Sequence, residues 1–307
     1  MVDFQIFLDN QQHHYFPGST VSGYVFIRCS KPIKARNVII GAYGYSYVEW
    51  TESQSSTDSD GSDTSSIETY SSNFKLLDQQ IKVWERHDTH ERFPEGENRF
   101  FFSFQLPYGL PPSYKSFYGN ISYKLEARIN VPWWLDKVAN LDLNVSPFYD
   151  LNLLSGAAQS VRQSIEKTYG FFSKNKISIS AQLDKSAYAF EENIHCTIEI
   201  QNHPKRFAKS IELLLIKTTV CKAQGSTKHQ FETTASNKLN IDENDPQSYH
   251  KISIFVLPNV QSFSTQNIVV SYEVKVRICI NGKIWNNHPE ICFPIQIGTV
   301  PAKLRVD

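Results

Sequence analysis

Two stretches of this chain repeat one another strand for strand, which confines it to a duplicated β architecture. Ile121-Ser122-Tyr123-Lys124-Leu125-Glu126-Ala127-Arg128-Ile129 returns as Val270-Ser271-Tyr272-Glu273-Val274-Lys275-Val276-Arg277-Ile278, and each copy follows a Phe-x-Leu-Pro phrase, Phe104 to Pro107 and Phe255 to Pro258. Both long copies alternate without a slip. Ile121, Tyr123, Leu125, Ala127 and Ile129 share one face, with Ser122, Lys124, Glu126 and Arg128 on the other, the period-two pattern of a strand with one side on a core.

The two halves also open alike. Phe4, Ile6 and Leu8 alternate into Asp9, and after Pro17-Gly18 the chain resumes at Val21 to Arg28; Ile177, Ile179, Ala181 and Leu183 alternate into Asp184, and the chain resumes at Ile194 to Gln201. The predicted fold is all-β, two tandem immunoglobulin-like antiparallel β-sandwiches. The expected layout is 1–150 for the first sandwich, 151–172 for a linker and 173–303 for the second. A length of 307 residues is enough for two cores, and 40% apolar with 13% aromatic residues suits β packing.

Two segments break the pattern. The tract 51–72 is rich in Ser, Thr and Asp, with no Lys or Arg between Arg36 and Lys75. It reads as a mobile acidic loop, a solvated insertion in which Ser55, Ser56 and Thr57 are candidate phosphosites for an acid-directed kinase. In 153–168, Ala158, Val161 and Ile165 recur at three and four residues, which suits a short linker helix.

Cys29, Cys196, Cys221, Cys279 and Cys292 are odd in number and never at metal-ligand spacing, so free thiols in a reducing cytoplasm are expected. The start, Met1-Val2-Asp3-Phe4, carries neither a basic leader nor a long apolar run. With 31 basic and 31 acidic residues the composition does not call for a nucleic-acid partner. No Gly-x-Ser-x-Gly elbow, phosphate-cradling loop or Cys with a nearby base is present, so neither catalysis nor a cofactor is expected. His87-Asp88-Thr89-His90-Glu91 is the nearest approach to a metal cluster. Its two histidines would point to opposite sides of a strand, and no metal is expected there.

Several further pieces carry a family likeness: Leu8-Asp9-Asn10 with Tyr15, Pro17-Gly18 and Val21 to Val25; Tyr47 to Trp50; Leu110-Pro111-Pro112-Ser113-Tyr114 with Tyr118-Gly119 and Pro132-Trp133; Tyr169 to Phe172; and Pro294 to Pro301. In this order and spacing they resemble an arrestin of the arrestin-domain-containing (α-arrestin) branch, from Phe4 almost to the last residue. The resemblance implies a cytoplasmic, non-catalytic adaptor. Such proteins bind cytosolic segments of membrane receptors or transporters and direct their endocytosis, ubiquitination and sorting, with recruitment to plasma membrane or endosomes. A structural coat or sorting subunit of the retromer type, which shares the fold, is the alternative.

A WW-domain HECT ubiquitin ligase is the second implied partner, recruited by the family through Pro-Pro-x-Tyr motifs in a tail that a sequence ending at Asp307 does not include. The first strand also lacks the paired lysines with which some arrestins sense receptor phosphates. One Pro-Pro-x-Tyr stands at Pro111, Pro112 and Tyr114, inside the first sandwich. It reads either as a WW-domain ligand or as a loop between strands, and its position favours the loop. Trp134, beside Lys137, is a candidate for peripheral membrane contact, whereas Trp133 reads as a packed strand end.

Overall fold

Alternation decides the architecture, because in the central strands of the two halves, such as Thr20–Cys29, Gly119–Asn130, Ala208–Ala223 and Ile268–Ile280, one face is buried and the other is turned outward. The computed structural model describes residues 2–57, 63–88, 90–133, 136–169, 175–203, 208–242, 247–280 and 288–303. The chain divides into two compact units, one formed by Met1–Pro147 with Cys221–Lys228 and Ser264–Ile268, the other by Phe148–Val220, His229–Phe263 and Val269–Asp307.

The first half runs through β1 (Val2–Leu8), β2 (His14–Tyr15), β3 (Thr20–Cys29), β4 (Asn37–Thr57), β5 (Asp63–Glu85), β6 (Gly96–Gln105), β7 (Tyr114–Lys115), β8 (Gly119–Asn130) and β9 (Lys137–Val145). One sheet has the order β1-β3-β6 and the other β2-β9-β8-β4-β5, with β7 added to β8. Val21, Val25 and Ile27 of β3 and Leu125, Ala127 and Ile129 of β8 are all fully buried, so the core lies between the two sheets.

The second half runs through β10 (Val161–Tyr169), β11 (Asn175–Leu183), β12 (Ala187–Ala189), β13 (Asn193–His203), β14 (Ala208–Ala223), β15 (Ser226–Asn240), β16 (Gln247–Phe255), β17 (Phe263–Ser264), β18 (Ile268–Ile280) and β19 (Glu290–Gly298). Its sheets have the orders β10-β11-β13-β16 and β12-β19-β18-β14-β15, with β17 added to β18. Among the described residues two short strand pairs are parallel, β2 with β9 and β12 with β19, which stand at equivalent places in the two halves. The β14–β15 hairpin turns through Gln224 and Gly225 at φ 51° and 79°, the left-handed pair that a two-residue hairpin loop requires.

Three expectations need correction. The segment 51–72 is not a loop in its described part: β4 continues to Thr57 and β5 resumes at Asp63, with Thr51 opposite Thr69 and Ser55 opposite Ser65. A ladder of backbone hydrogen bonds and the stacking of Trp50 on Tyr70, centroids 5.4 Å apart, order a sequence whose composition alone suggested otherwise. The helix expected over 153–168 is also absent. A single 3-10 turn, Leu151–Leu153, capped by Asp150, precedes β10, where Val161, Gln163, Ile165 and Lys167 are half-buried and their neighbours exposed. That is period two, and the three- and four-residue spacing of Ala158, Val161 and Ile165 was a coincidence of a turn residue with a strand.

The third correction concerns the Phe-x-Leu-Pro phrase, whose two copies do not superpose. Thr20 pairs with Gln105 and Asn193 with Phe255, so Gln105 corresponds to Phe255, and the buried Leu106 to the buried Val256. Phe104 is therefore in the core at 4% exposure, while Phe255 lies outside at 42%.

Inside the first unit Asn267 is 1% exposed and fully bonded. Its Nδ2 donates to the Ser46 carbonyl at 3.0 Å and to Ser72 Oγ at 3.1 Å, and its Oδ1 accepts from Ser46 Oγ at 2.5 Å. Replacing Asn267 by Ala strands these groups, and we expect a loss of about 1–3 kcal/mol in denaturant unfolding. An unchanged midpoint would show that water replaces the side chain without cost.

Candidate functional site

Each unit is closed by the same clasp. Tyr123, 1% exposed, donates its hydroxyl to the carbonyl of Pro111 at 2.8 Å, and Tyr272, 4% exposed, donates to the carbonyl of Val260 at 2.6 Å, twelve residues back in both cases. Ser113 and Val145 then form a reciprocal pair: the Ser113 amide donates to the Val145 carbonyl at 2.8 Å, and the Val145 amide to Ser113 Oγ at 3.0 Å. Ser262 and Ile297 do the same at 2.8 and 3.0 Å. Burial drives both the packing of the rings and the bonding of their hydroxyls, as at the tyrosine corner of other β-sandwiches. Gly44 makes room for the first ring, since a Cβ there would come within 2.5 Å of it.

The clasp accounts for most of the Pro-Pro-x-Tyr segment. Pro111 supplies the acceptor, Pro112 is buried, Ser113 makes the reciprocal pair, and Tyr114 pairs with Ile121 as part of β7. A WW domain recognises such a motif as a free extended helix, and here it is held in the sheet.

The face of β8 turned away from the core carries Lys124, Glu126 and Arg128. Glu126 receives hydrogen bonds from Lys124 at 2.9 Å and Arg128 at 2.6 Å, which hold its carboxyl below the usual carboxylate range. Arg128 also faces Asp136 at 3.6 Å. Alongside, β4 turns Tyr43, Tyr45 and Tyr47 to the same side, with Tyr43 opposite Lys124 and Tyr45 opposite Ser122. The equivalent strand β18 carries Glu273, Lys275 and Arg277 in a longer chain of pairs. Arg277 bonds Glu290 at 2.6 Å and faces Glu212 at 3.6 Å, while Lys275 faces Glu290 at 3.3 Å and Lys238 faces Glu212 at 3.1 Å. The hydrogen bond from Lys238 keeps Glu212 low as well. Both units thus present an ordered outward face of alternating charge, and only the first adds a stripe of tyrosines.

Beyond Val48, β4 leaves β8 and continues with β5 alone as a two-stranded ribbon. Glu49, Ser53, Ser55, Ile67 and Glu68 are exposed on it. Ser55 therefore lies on a strand, and the side chains of Ser56 and Thr57 lie outside the described residues, as does Trp134. Trp133, expected to be packed, is 97% exposed at a φ of 60°, because the chain turns out of the sheet there. In the histidine segment Asp88 is occupied by backbone, its Oδ1 accepting from the amides of His90 at 2.6 Å and Glu91 at 2.8 Å, and no group suited to a metal ion occurs among the described residues. Burial pushes the Cys196 thiol up to about 12 and raises Cys29, Cys221 and Cys292, which keeps these sulfurs protonated and poor nucleophiles. No helix among the described residues is long and apolar enough to cross a membrane.

Two family profiles cover these units. The profile described as arrestin (or S-antigen), N-terminal domain, matches residues 4–152, and the corresponding C-terminal domain matches residues 173–302. The chain belongs to the arrestin family. It is 26% identical over 305 residues to human arrestin domain-containing protein 4, covering 96% of this chain and 71% of that one, and 25% identical to the mouse counterpart over the same shares. Arrestin domain-containing protein 17 of Caenorhabditis elegans is 23% identical over 232 residues, 74% of this chain and 54% of the worm protein. In this arrestin the clasp is the duplicated structural device, and β8 and β18 carry charged outward faces.

Two measurements probe these features. Tyr123→Phe and Tyr272→Phe should each lower stability by about 1–3 kcal/mol in denaturant unfolding, because a buried carbonyl loses its donor; no change in either would separate the clasp from stability. Glu126 and Glu212 have depressed folded values, so the stability they contribute is present above their unfolded pKa near ~4.3 and lost as pH falls through the folded one. Acidification should thus lower the thermal midpoint, and less steeply in a Glu126→Gln, Glu212→Gln double variant; equal slopes would contradict the assignment.

Proposed function

We propose that this chain is a non-catalytic adaptor that binds cytosolic segments of membrane receptors or transporters and directs their endocytosis, ubiquitination and sorting. The observation that carries the reading is the face shared by β4 and β8. Tyr43, Tyr45 and Tyr47 form a row of broad amphipathic anchors, and Lys124, Glu126 and Arg128 beside them are already ordered by their own pairs. Aromatic anchors flanked by fixed charges bind extended polypeptide at low entropic cost, since few rotamers remain to be ordered. Membership of the arrestin family and likeness to arrestin domain-containing proteins support the same reading.

The adaptor works from the cytoplasm and reaches plasma membrane or endosomes through its cargo. A WW-domain HECT ligase would complete the ubiquitination role. In this reading Pro111, Pro112 and Tyr114 stay with the fold, and the ligase is engaged elsewhere, because binding at that motif would open the clasp. Proximity labelling in the source cell, with the natural chain and a Tyr45→Ser, Tyr47→Ser variant, tests the proposal. Membrane proteins should be labelled on their cytosolic segments, and at least ~10-fold less in the variant, as expected when anchor residues are lost. Labelling of a fixed set of coat subunits, unchanged in the variant, would contradict it.

A further inference from the structure

The sheet β1-β3-β6 carries on its outer side a surface that a sandwich does not need. Outward positions of a half-buried sheet are ordinarily polar. Here one rung reads Phe7, Tyr24, Phe101 and the next Gln5, Phe26, Arg99, with Asp3, Arg28 and Glu97 beyond. Phe7 stacks on Tyr24 with centroids 5.1 Å apart, and Tyr24 meets Phe101 at 5.9 Å. Phe101 is 77% exposed and Phe7 40%. The Arg99 guanidinium lies over Tyr24 at 5.5 Å and over Phe26 at 6.0 Å, and has no acidic partner among the described residues. Arg28 lies over Phe26 at 5.8 Å and is paired with Glu97.

The second half supplies an internal control. Its equivalent rungs, aligned by the same strand pairing, read Gln182, Thr197, Lys251 and Ser180, Glu199, Tyr249. Same fold, same positions, and the face is mostly polar. The aromatic face of the first unit is therefore not dictated by the sandwich. Its make-up of Phe, Tyr and Arg at the centre with Asp3, Ser22, Glu97 and Ser103 around them is that of an interface core and its polar rim.

We propose that this face seats a second copy of the same chain in a two-fold dimer. Charge selects that occupant. The face holds a guanidinium, Arg99, and a carboxylate, Asp3, neither of which has an ion-pair partner among the described residues, so two copies turned on one another can pair Arg99 of each with Asp3 of the other while Arg28 and Glu97 neutralise each other within each copy. The same carboxylates oppose an anionic bilayer. Nor do copies repel at a distance, since the chain as a whole has a formal net charge of +0. Rings locked by stacking and by the two arginines lose little freedom on burial.

Sedimentation equilibrium of the full chain over a concentration series is the test, with Phe101→Glu, Arg99→Glu and, as a control, Lys251→Glu on the polar face of the second half. All three side chains are exposed, and circular dichroism melting confirms that each variant folds. The expected result is a monomer–dimer equilibrium in the natural chain, weakened at least ~10-fold by Phe101→Glu and by Arg99→Glu and untouched by Lys251→Glu. A natural chain that stays monomeric overturns the proposal, as does a dimer insensitive to Phe101→Glu. Monomers that float with anionic phosphatidylserine vesicles through Phe101 would overturn it in favour of a lipid surface.

Discussion

A buried tyrosine hydroxyl that must find an acceptor organises both halves of this molecule. Tyr123 and Tyr272 stand on the strands that pair with β4 and β9 in one unit and with β14 and β19 in the other, and each reaches back twelve residues to a carbonyl. That single bond fixes the path of the chain before β8 and β18. The reciprocal pairs of Ser113 with Val145 and Ser262 with Ile297 then tie the same segments to the last strand of each unit. Leaving any of these groups unpaired in the core would cost more than the bond itself yields, so the clasp acts through the penalty of its absence.

Much of this was legible beforehand because it rests on alternation. The Ile121 to Ile129 and Val270 to Ile278 copies correspond in the structure as they do in the text, each inward residue buried, and the opening hairpins of the two halves follow suit. Other features were hidden for physical reasons. The ribbon of β4 and β5 is stabilised by backbone pairing and by one stacked pair, Trp50 on Tyr70, neither of which weighs in the composition of a Ser, Thr and Asp tract. In the Phe-x-Leu-Pro phrases, identical letters fell one residue out of register, because burial of Leu106 and Val256 outweighs the likeness of Phe104 to Phe255. Asn267 was invisible, since its worth lies in Ser46 and Ser72, roughly two hundred residues away in sequence.

The same clasp separates architecture from function. Pro111, Pro112, Ser113 and Tyr114 are engaged in closing the first unit, and the outward faces of the sheets are free of that task. Those faces differ between the halves where the fold does not require it. Tyrosines line β4 beside the charges of β8, whereas the outward side of β14 carries Leu214, Ile216 and Val220; aromatic rings cover β1-β3-β6, while the corresponding positions of β11, β13 and β16 stay mostly polar.

Amide hydrogen exchange at Val145 and Ile297, whose N–H groups donate to Ser113 Oγ and Ser262 Oγ, tests the central role of the clasp most directly. Both amides should exchange only through global unfolding of their own unit, among the slowest in the chain, and a Ser113→Ala variant should speed Val145 alone. Exchange of Val145 and Ile297 at the rate of exposed loop amides in the natural chain would contradict it.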